Sequence, residues 1–546
     1  MGANNFTKSA LSGAQGSRQY DVDVLVIGGG PAGAWAAISA AAKGAKVLLA
    51  DKGYCGTSGA TAPSGTNVWN VPPDIPAREA AKAERYDMGG RLAEPAWMDR
   101  VLEQSWRNLQ QLAAWGYPFP SDEQGGQLRG SLQGPDYMRL MRKQVKAAGA
   151  TIIDHSPALE LLVNEAGAVC GATGVNRQSQ DTWVARAGAV VIATGGCAFL
   201  SRALGCNVLT GDGLLMAAEV GAELSGMEFS NAYGLGPAFS SVTKSLFYNW
   251  ARFYEADGTE IKGAGSSRGR SLIVDALQTR PVFARLDQAD AQIRAWMRAS
   301  QPNFFVPFDR QNIDPFTQLF PITLRLEGTV RGTGGLRVVD EHCATNVPGL
   351  YAAGDAATRE LICGAFTGGG SHNSAWALSS GFWAGAAAAD HGRQAGQSAK
   401  QVLLHAGQVG LHTRGHQTWQ PSDVVRAVQA EVFPYERNWN RRADLLGDSL
   451  SRLDALWVQL KQGAPVSGLD EAIRAREAAA MLATSRWMYR SALARTESRG
   501  MHRRLEHAGL DPAQRHRLVS AGLDEIWLRQ EPVTDQVQEA GTGVPA

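Results

Sequence analysis

The sequence has few cysteines, and none forms a CxxC pair. Cys55, Cys170, Cys197, Cys206, Cys343 and Cys363 are scattered. This excludes the usual zinc and iron–sulfur ligand sets within the chain and reads as reduced thiols of a cytoplasmic protein. An excess of either charge is also absent. With 53 Lys+Arg against 52 Asp+Glu, nothing points to nucleic acid or an anionic membrane. Long apolar runs are missing: one is broken by Lys43 and Lys46, and another stops at Ala377 to Ala389. A bilayer needs ~20 residues. Residues 1–20 are polar, without an apolar signal core or a twin arginine, so no direct membrane insertion is expected.

What remains is an ordinary globular composition, 44% hydrophobic and 19% charged. At 546 residues the chain exceeds a single core. The 62 glycines suit repeated backbone approaches to a large cofactor.

The stretch 22–51 is the organising element. An apolar run, Val24 to Ile27, breaks into Gly28-Gly29-Gly30-Pro31-Ala32-Gly33. A small-residue helix pattern follows, then Val47 to Ala50, then Asp51. Strand, glycine turn, helix, strand and acid occur in the order of a dinucleotide site. Gly28 permits the tight turn, Gly30 a close approach to pyrophosphate, and Gly33 close helix–strand packing. The helix N-terminus attracts phosphate. Asp51 suits a ribose with a free 2′-OH, hence FAD or NAD rather than NADP.

After Lys52 comes a dense small-residue loop, Gly53 to Asn67, suited to lie against a flat ring. Trp and Leu at helical spacing predict helices within 77–115, and 137–149 predicts another. Thr151–Ile153 and Leu161–Val163 read as strands. Ala189 to Ile192 predicts a buried strand entering a second glycine turn, Ala193-Thr194-Gly195-Gly196. The regular pattern lapses over 225–335, which is rich in aromatics and Pro. It returns with Val347 to Ala357, containing Gly354-Asp355, and with Gly368-Gly369-Gly370-Ser371-His372-Asn373-Ser374, which opens a small-residue helix. The expected architecture is α/β. A flexible tail covers 1–20, and a Rossmann-like FAD-binding domain covers 21–224 and 336–395. An inserted α+β cap covers 225–335, a helical C-terminal domain 400–530, and a loose tail 531–546.

The glycine turn, the acid, TSGATAPSG, ATGG, NVLTGDG, VPGLYAAGDAA and SRGMHRR occur in an order that resembles the fumarate reductase/succinate dehydrogenase flavoprotein superfamily. Thr57-Ser58-Gly59-Ala60, Tyr233-Gly234-Leu235-Gly236-Pro237 and Ser371-His372 look most similar to the adenylylsulfate (APS) reductase alpha-subunit branch. The resemblance implies an FAD-dependent oxidoreductase with one FAD per chain. Gly28, Gly30, Pro31, Ala32 and Gly33 would hold the pyrophosphate, and Asp51, with Lys52 beside it, the ribose. Ser58, Gly59, Ala60 and Gly65 would line the isoalloxazine. Ala193, Thr194, Gly195 and Asp212 would support the adenosine half. Gly354 and Asp355 would reach the ribityl–pyrophosphate region, with Asn373 and Ser374 near the pyrimidine ring. Gly59 stands where succinate dehydrogenase-type members carry the histidine that bonds FAD, so noncovalent flavin is expected.

Flavin redox chemistry needs a cation or hydrogen-bonding group over the ring. His372 is the first candidate; its alternative is a histidine that only hydrogen-bonds backbone or flavin. Asn67 is the second, against a plain turn asparagine. The family pattern breaks at two places. Ser230-Asn231-Ala232-Tyr233 replaces the segment carrying histidine-proline-threonine, and no RGEGG run occurs. The APS reductase arginine falls nearest Ser230, which carries no charge. Arg331 and Arg252 are the replacement cations, each against a solvated arginine. Cap aromatics from Phe239 to Tyr254 line a pocket or simply form core.

The leading reading is an alpha-type subunit that acts on a small anionic substrate other than APS, with a small ferredoxin-like iron–sulfur partner. The alternatives are a self-contained oxidase or dehydrogenase of the aspartate oxidase type, an NAD enzyme without flavin, and a flavin-binding subunit without catalysis.

Overall fold

The computed structural model describes residues 16–121, 126–243, 245–266, 269–367, 369–395, 402–411, 419–463 and 468–533. An eight-stranded sheet carries the first layer. Its centre is β1 (Ser17–Ile27), followed by α1 (Pro31–Ala42) and β2 (Val47–Ala50). β3 (Thr182–Ile192) lies on the other side of β1, and β4 (Leu350–Ala352) pairs with the end of β3. All these pairings are parallel. Val24, Leu25 and Val26 are buried because both faces of the sheet are covered, which is why the run is apolar without alternation. Ile27 aligns with Ala50 and with Ile192, so three strands end together where the glycine turns begin.

The helix opened by His372 is α2 (Gly369–Ala395). It packs directly on α1. A Cβ on Gly381 would lie 2.2 Å from Ala32 O, and one on Gly385 would lie 2.1 Å from Ala36 O. The small-residue pattern is thus the consequence of two backbones in contact.

The cap contains a four-stranded antiparallel sheet in the order Ala232–Pro237, Phe320–Glu327, Phe283–Arg285, Arg252–Tyr254. Phe247, Phe304, Phe308 and Phe320 form an edge-to-face cluster, with centroids 5.1 Å apart for Phe247–Phe304 and 4.8 Å for Phe308–Phe320. The cap aromatics are core rather than pocket lining.

The C-terminal region is helical and includes Pro421–Val432, Ala443–Lys461 and α3 (Leu469–Ala494). It ends in a hairpin, His516–Ala521 with Trp527–Pro532. This hairpin joins Leu224–Ser225 and Gly335–Leu336 in one small sheet. The C-terminus therefore clasps the two segments through which the chain enters and leaves the cap.

The expected tail over 1–20 is shorter at its C-terminal end. Ser17–Tyr20 pair with Thr182–Ala185, a long-range contact that no local pattern reveals. Residues 1–15 and 534–546 of the two expected tails lie outside the described residues. Among the described residues no helix is long and apolar enough to cross a membrane. All six cysteines are unpaired and buried.

Candidate active site

One cavity of about 1180 Å³ begins where β1, β2 and β3 end and runs into the cap. Its floor is the glycine turn. Gly28 has φ +108°, and a Cβ there would meet Ala193 O at 2.3 Å. Gly33 lies beneath the surface, where a Cβ would meet Gly28 O at 1.8 Å. Gly30 differs. It lines the cavity and a Cβ on it would meet no protein atom within 4 Å. No protein atom requires glycine there. Gly30 is also the N-cap of α1 and has no side chain to cap the helix, so the N–H groups of the first turn lack a side-chain cap at the cavity wall, an arrangement that suits an anion.

Asp51 accepts from Gly29 N at 2.6 Å, Gly53 N at 2.7 Å and Ser58 Oγ at 2.7 Å. A carboxylate has about four acceptor positions, which leaves room for one ligand hydroxyl. Lys52 lines the cavity but is fully engaged, with Asp212 and Glu477 both at 2.7 Å. Burial works against its charge, yet the two carboxylates more than offset this and hold the amine above its ordinary range. Asn373 donates to Val330 O at 3.2 Å while its buried Oδ1 has no partner. The open cradle at Gly30, the uncapped helix and this orphan acceptor all fit FAD.

Pro31, Ala32, Gly59, Ala60, Gly65, Ala193, Thr194, Gly195, Asp212, Gly354, Asp355 and Ser374 also line the cavity. Asp355 accepts from Arg359 at 2.7 Å. Burial raises its carboxyl, against the pull of Arg359 and Arg331. Of the four catalytic candidates, His372, Asn67 and Arg331 line the cavity. His372 rests against Trp69, and its Nδ1 is 3.2 Å from Ser371 Oγ. Arg331 faces Glu327 at 3.6 Å.

Arg252 is a correction. It is an exposed residue on the edge strand of the cap sheet, paired with Asp287 at 3.2 Å, and does not line the cavity. A cation that does, and that the sequence reading did not single out, is Arg270, the first residue of the helix Arg270–Leu277. It donates to Ser266 O at 2.9 Å and Tyr233 O at 3.3 Å. No carboxylate pairs with it among the described residues. Desolvation pushes its guanidinium down to about 10. The signal in the sequence was faint: one arginine after Gly269, in a segment without regular pattern.

A family profile described as FAD binding domain matches residues 23–232. A second, described as Fumarate reductase flavoprotein C-term, matches 441–540. The chain belongs to the fumarate reductase/succinate dehydrogenase flavoprotein superfamily. It is an FAD-dependent oxidoreductase. L-aspartate oxidase of Streptomyces coelicolor is 26% identical over 92% of each chain. The FrdA flavoprotein of E. coli quinol fumarate reductase superposes with TM-score 0.78 at 20% identity, over 94% of this chain and 97% of that one. Adenylylsulfate reductase from Archaeoglobus fulgidus superposes at 0.74 and 19% identity, over 98% and 99%. Most of the charged side chains of the SRGMHRR segment are held by the protein itself. Arg499 pairs with Glu497 at 2.6 Å, His502 Nδ1 is 2.7 Å from Arg441, and Arg504 binds backbone carbonyls. Burial beside arginines holds the His502 imidazole well below its ordinary value.

Proposed function

We propose that this flavoprotein is an alpha-type subunit that oxidises or reduces a small anionic substrate in the cap end of its cavity. Bound FAD would supply hydride or electron exchange at N5. Gly28, Gly30 and α1 would carry its pyrophosphate, Asp51 a ribose, and Asn373 and Ser374 the ring end. Arg270 would grip the substrate anion. A guanidinium that hydrogen-bonds only to neutral acceptors can still take an anion against its free face. His372 and Asn67 would orient the substrate and hold a proton near the ring, with Arg331 held back by Glu327. The single observation that carries this reading is Arg270 without a carboxylate, in the same cavity as the glycine cradle.

The missing RGEGG run and Ser230 set the substrate apart from a fumarate-type dicarboxylate and from APS. A small iron–sulfur protein would carry the electrons, since the cysteines here have no ligand spacing. A cytoplasmic location fits this reading. The relationship to L-aspartate oxidase over nearly the whole chain favours a second reading, a self-contained oxidase.

The test is the visible spectrum of the purified protein, followed by acid precipitation. Flavin bands, with the colour released to the supernatant, are expected. A protein that stays colourless after incubation with FAD would overturn the reading. Colour retained in the pellet would overturn the noncovalent assignment at Gly59. Capture of an iron–sulfur partner, against oxygen consumption by the isolated chain, separates the two readings.

A further inference from the structure

The loop that would face the flavin ring is held from behind by the cap. Thr61, Ser64, Gly65 and Thr66 line the cavity. The flavin domain fixes this loop through backbone. Gly65–Asn67 pair with Ser131–Gln133, and Gly134 N donates to Ser64 O at 2.6 Å. The cap reaches the same loop at the junction between the helices Ala291–Ser300 and Pro302–Arg310.

Pro302 causes that junction. A proline drives the residue before it out of the helical region, and Gln301 has φ −144° and ψ +65°. The helices break there, and the Gln301 side chain makes no capping hydrogen bond. Its Oε1 instead accepts from Gly65 N at 3.2 Å. The flanking residues add to the contact. Asn303 Nδ2 donates to Pro63 O at 2.8 Å, and Ser300 O accepts from Gln133 Nε2. Gln301 is 3% exposed and does not line the cavity. It touches the loop, and the loop touches the cavity.

The contact is close. A Cβ on Gly65 would lie 2.6 Å from Gln301 Oε1 and 2.7 Å from its Cδ, and its three nearest atoms would all belong to Gln301. Gly65 has no positive φ, so a side chain there is opposed by the cap rather than by the backbone conformation. The carboxamide is also neutral. A carboxylate could accept the same N–H, but its charge would disfavour adding electrons to a ring on the other side of the loop.

We propose that Gln301 is a positioning residue for the flavin: from the cap, its carboxamide fixes the Gly65 wall at the ring end of the cavity. This deepens the functional reading above and rests on it for the placement of the ring against Ser58 to Gly65. The cap then sets the seat of the cofactor, besides enclosing the substrate end.

The experiment compares Gln301→Ala, Gly65→Ala and the double variant with the parent. FAD affinity is read by fluorescence quenching and the flavin midpoint potential against a redox dye. Each single variant should weaken FAD about threefold or more, the size of one neutral hydrogen bond. Gln301→Ala makes room for the new methyl, so the double variant should bind FAD no more weakly than Gly65→Ala alone. The midpoint should move by about 14 mV or more in Gln301→Ala, a threefold change in the ratio of affinities for oxidised and reduced FAD in a two-electron couple. In the apoprotein, amide exchange over residues 61–67 should quicken while the melting temperature stays near that of the parent. Weaker FAD with an unmoved midpoint would make Gln301 a contact of the fold alone and overturn the proposal. So would single effects that multiply in the double variant. If Gly65→Ala fails to fold, the midpoint and the exchange of Gln301→Ala decide. A parent that takes up no FAD would instead strike the flavoprotein reading.

Discussion

The imidazole of His372 lies against the indole of Trp69, with centroids 4.5 Å apart and planes inclined by 34°. Trp69 N also donates to Ser371 O at 3.0 Å, so the loop after the glycine-rich segment and the start of α2 are tied by both backbone and rings. Trp69→Leu removes a ring contact worth about 1 kcal/mol beyond area burial and leaves the backbone tie. FAD affinity, measured by flavin fluorescence quenching, is expected to fall several-fold. An unchanged affinity would show that Trp69 does not position this wall of the cavity.

Gly30 and Gly33 make opposite predictions although they are neighbours in one turn. Gly30→Val places its side chain in open cavity. The protein should fold, with apoprotein circular dichroism and melting like the parent, but remain colourless. Gly33→Val drives Cβ into Gly28 O and should yield little soluble protein. Yellow Gly30→Val protein would refute the pyrophosphate assignment.

Asp51→Ala leaves Gly29 N, Gly53 N and Ser58 Oγ without their acceptor. The buried donor, Gly29 N, costs about 1–3 kcal/mol when left unpaired, and the two half-buried ones less. Loss of FAD during purification is expected, read as the ratio of absorbance at the flavin and protein bands. Retention of stoichiometric FAD would remove Asp51 from the site.

Glu360 is buried beside the strand Leu224–Ser225, by which the chain enters the cap, and accepts from Ser225 Oγ. Burial first, and then repulsion from Glu228, raise its carboxyl to about 8. Its ordinary value is 4.5, so the folded state holds a proton that the unfolded chain has released. Stability should therefore fall as pH rises from about 4.5 to 8, by at most about 1.4 kcal/mol per pH unit from this group. Glu360→Gln should flatten that part of the profile in thermal melts from pH 5 to 9. An unchanged slope would mean that Glu360 is ionised in the fold.

The flavin half of the site was legible because its determinants are local. A parallel strand buried on both faces, a turn that only glycine satisfies and an acid after the next strand all leave short-range marks. The cap end left none. Arg252 and Arg270 look alike in sequence, and only the fold decides that one reaches solvent beside Asp287 and the other the cavity. SRGMHRR was visible as a motif, but only the fold shows that Arg503, packed against Trp439, is the one of its cations that lines the cavity. The same holds for Ser17–Tyr20, whose pairing partner lies more than 160 residues away.

The backbone contact between α1 and α2 acts as a caliper. One jaw, at Gly30, marks where the pyrophosphate would sit; the other, at His372 to Ser374, marks the ring. The distance between them is set at Gly381 and Gly385, where no ligand is touched. A single methyl at Gly385 would meet Ala36 O and force the two helices apart, so the cavity would change shape although none of its own residues had been substituted.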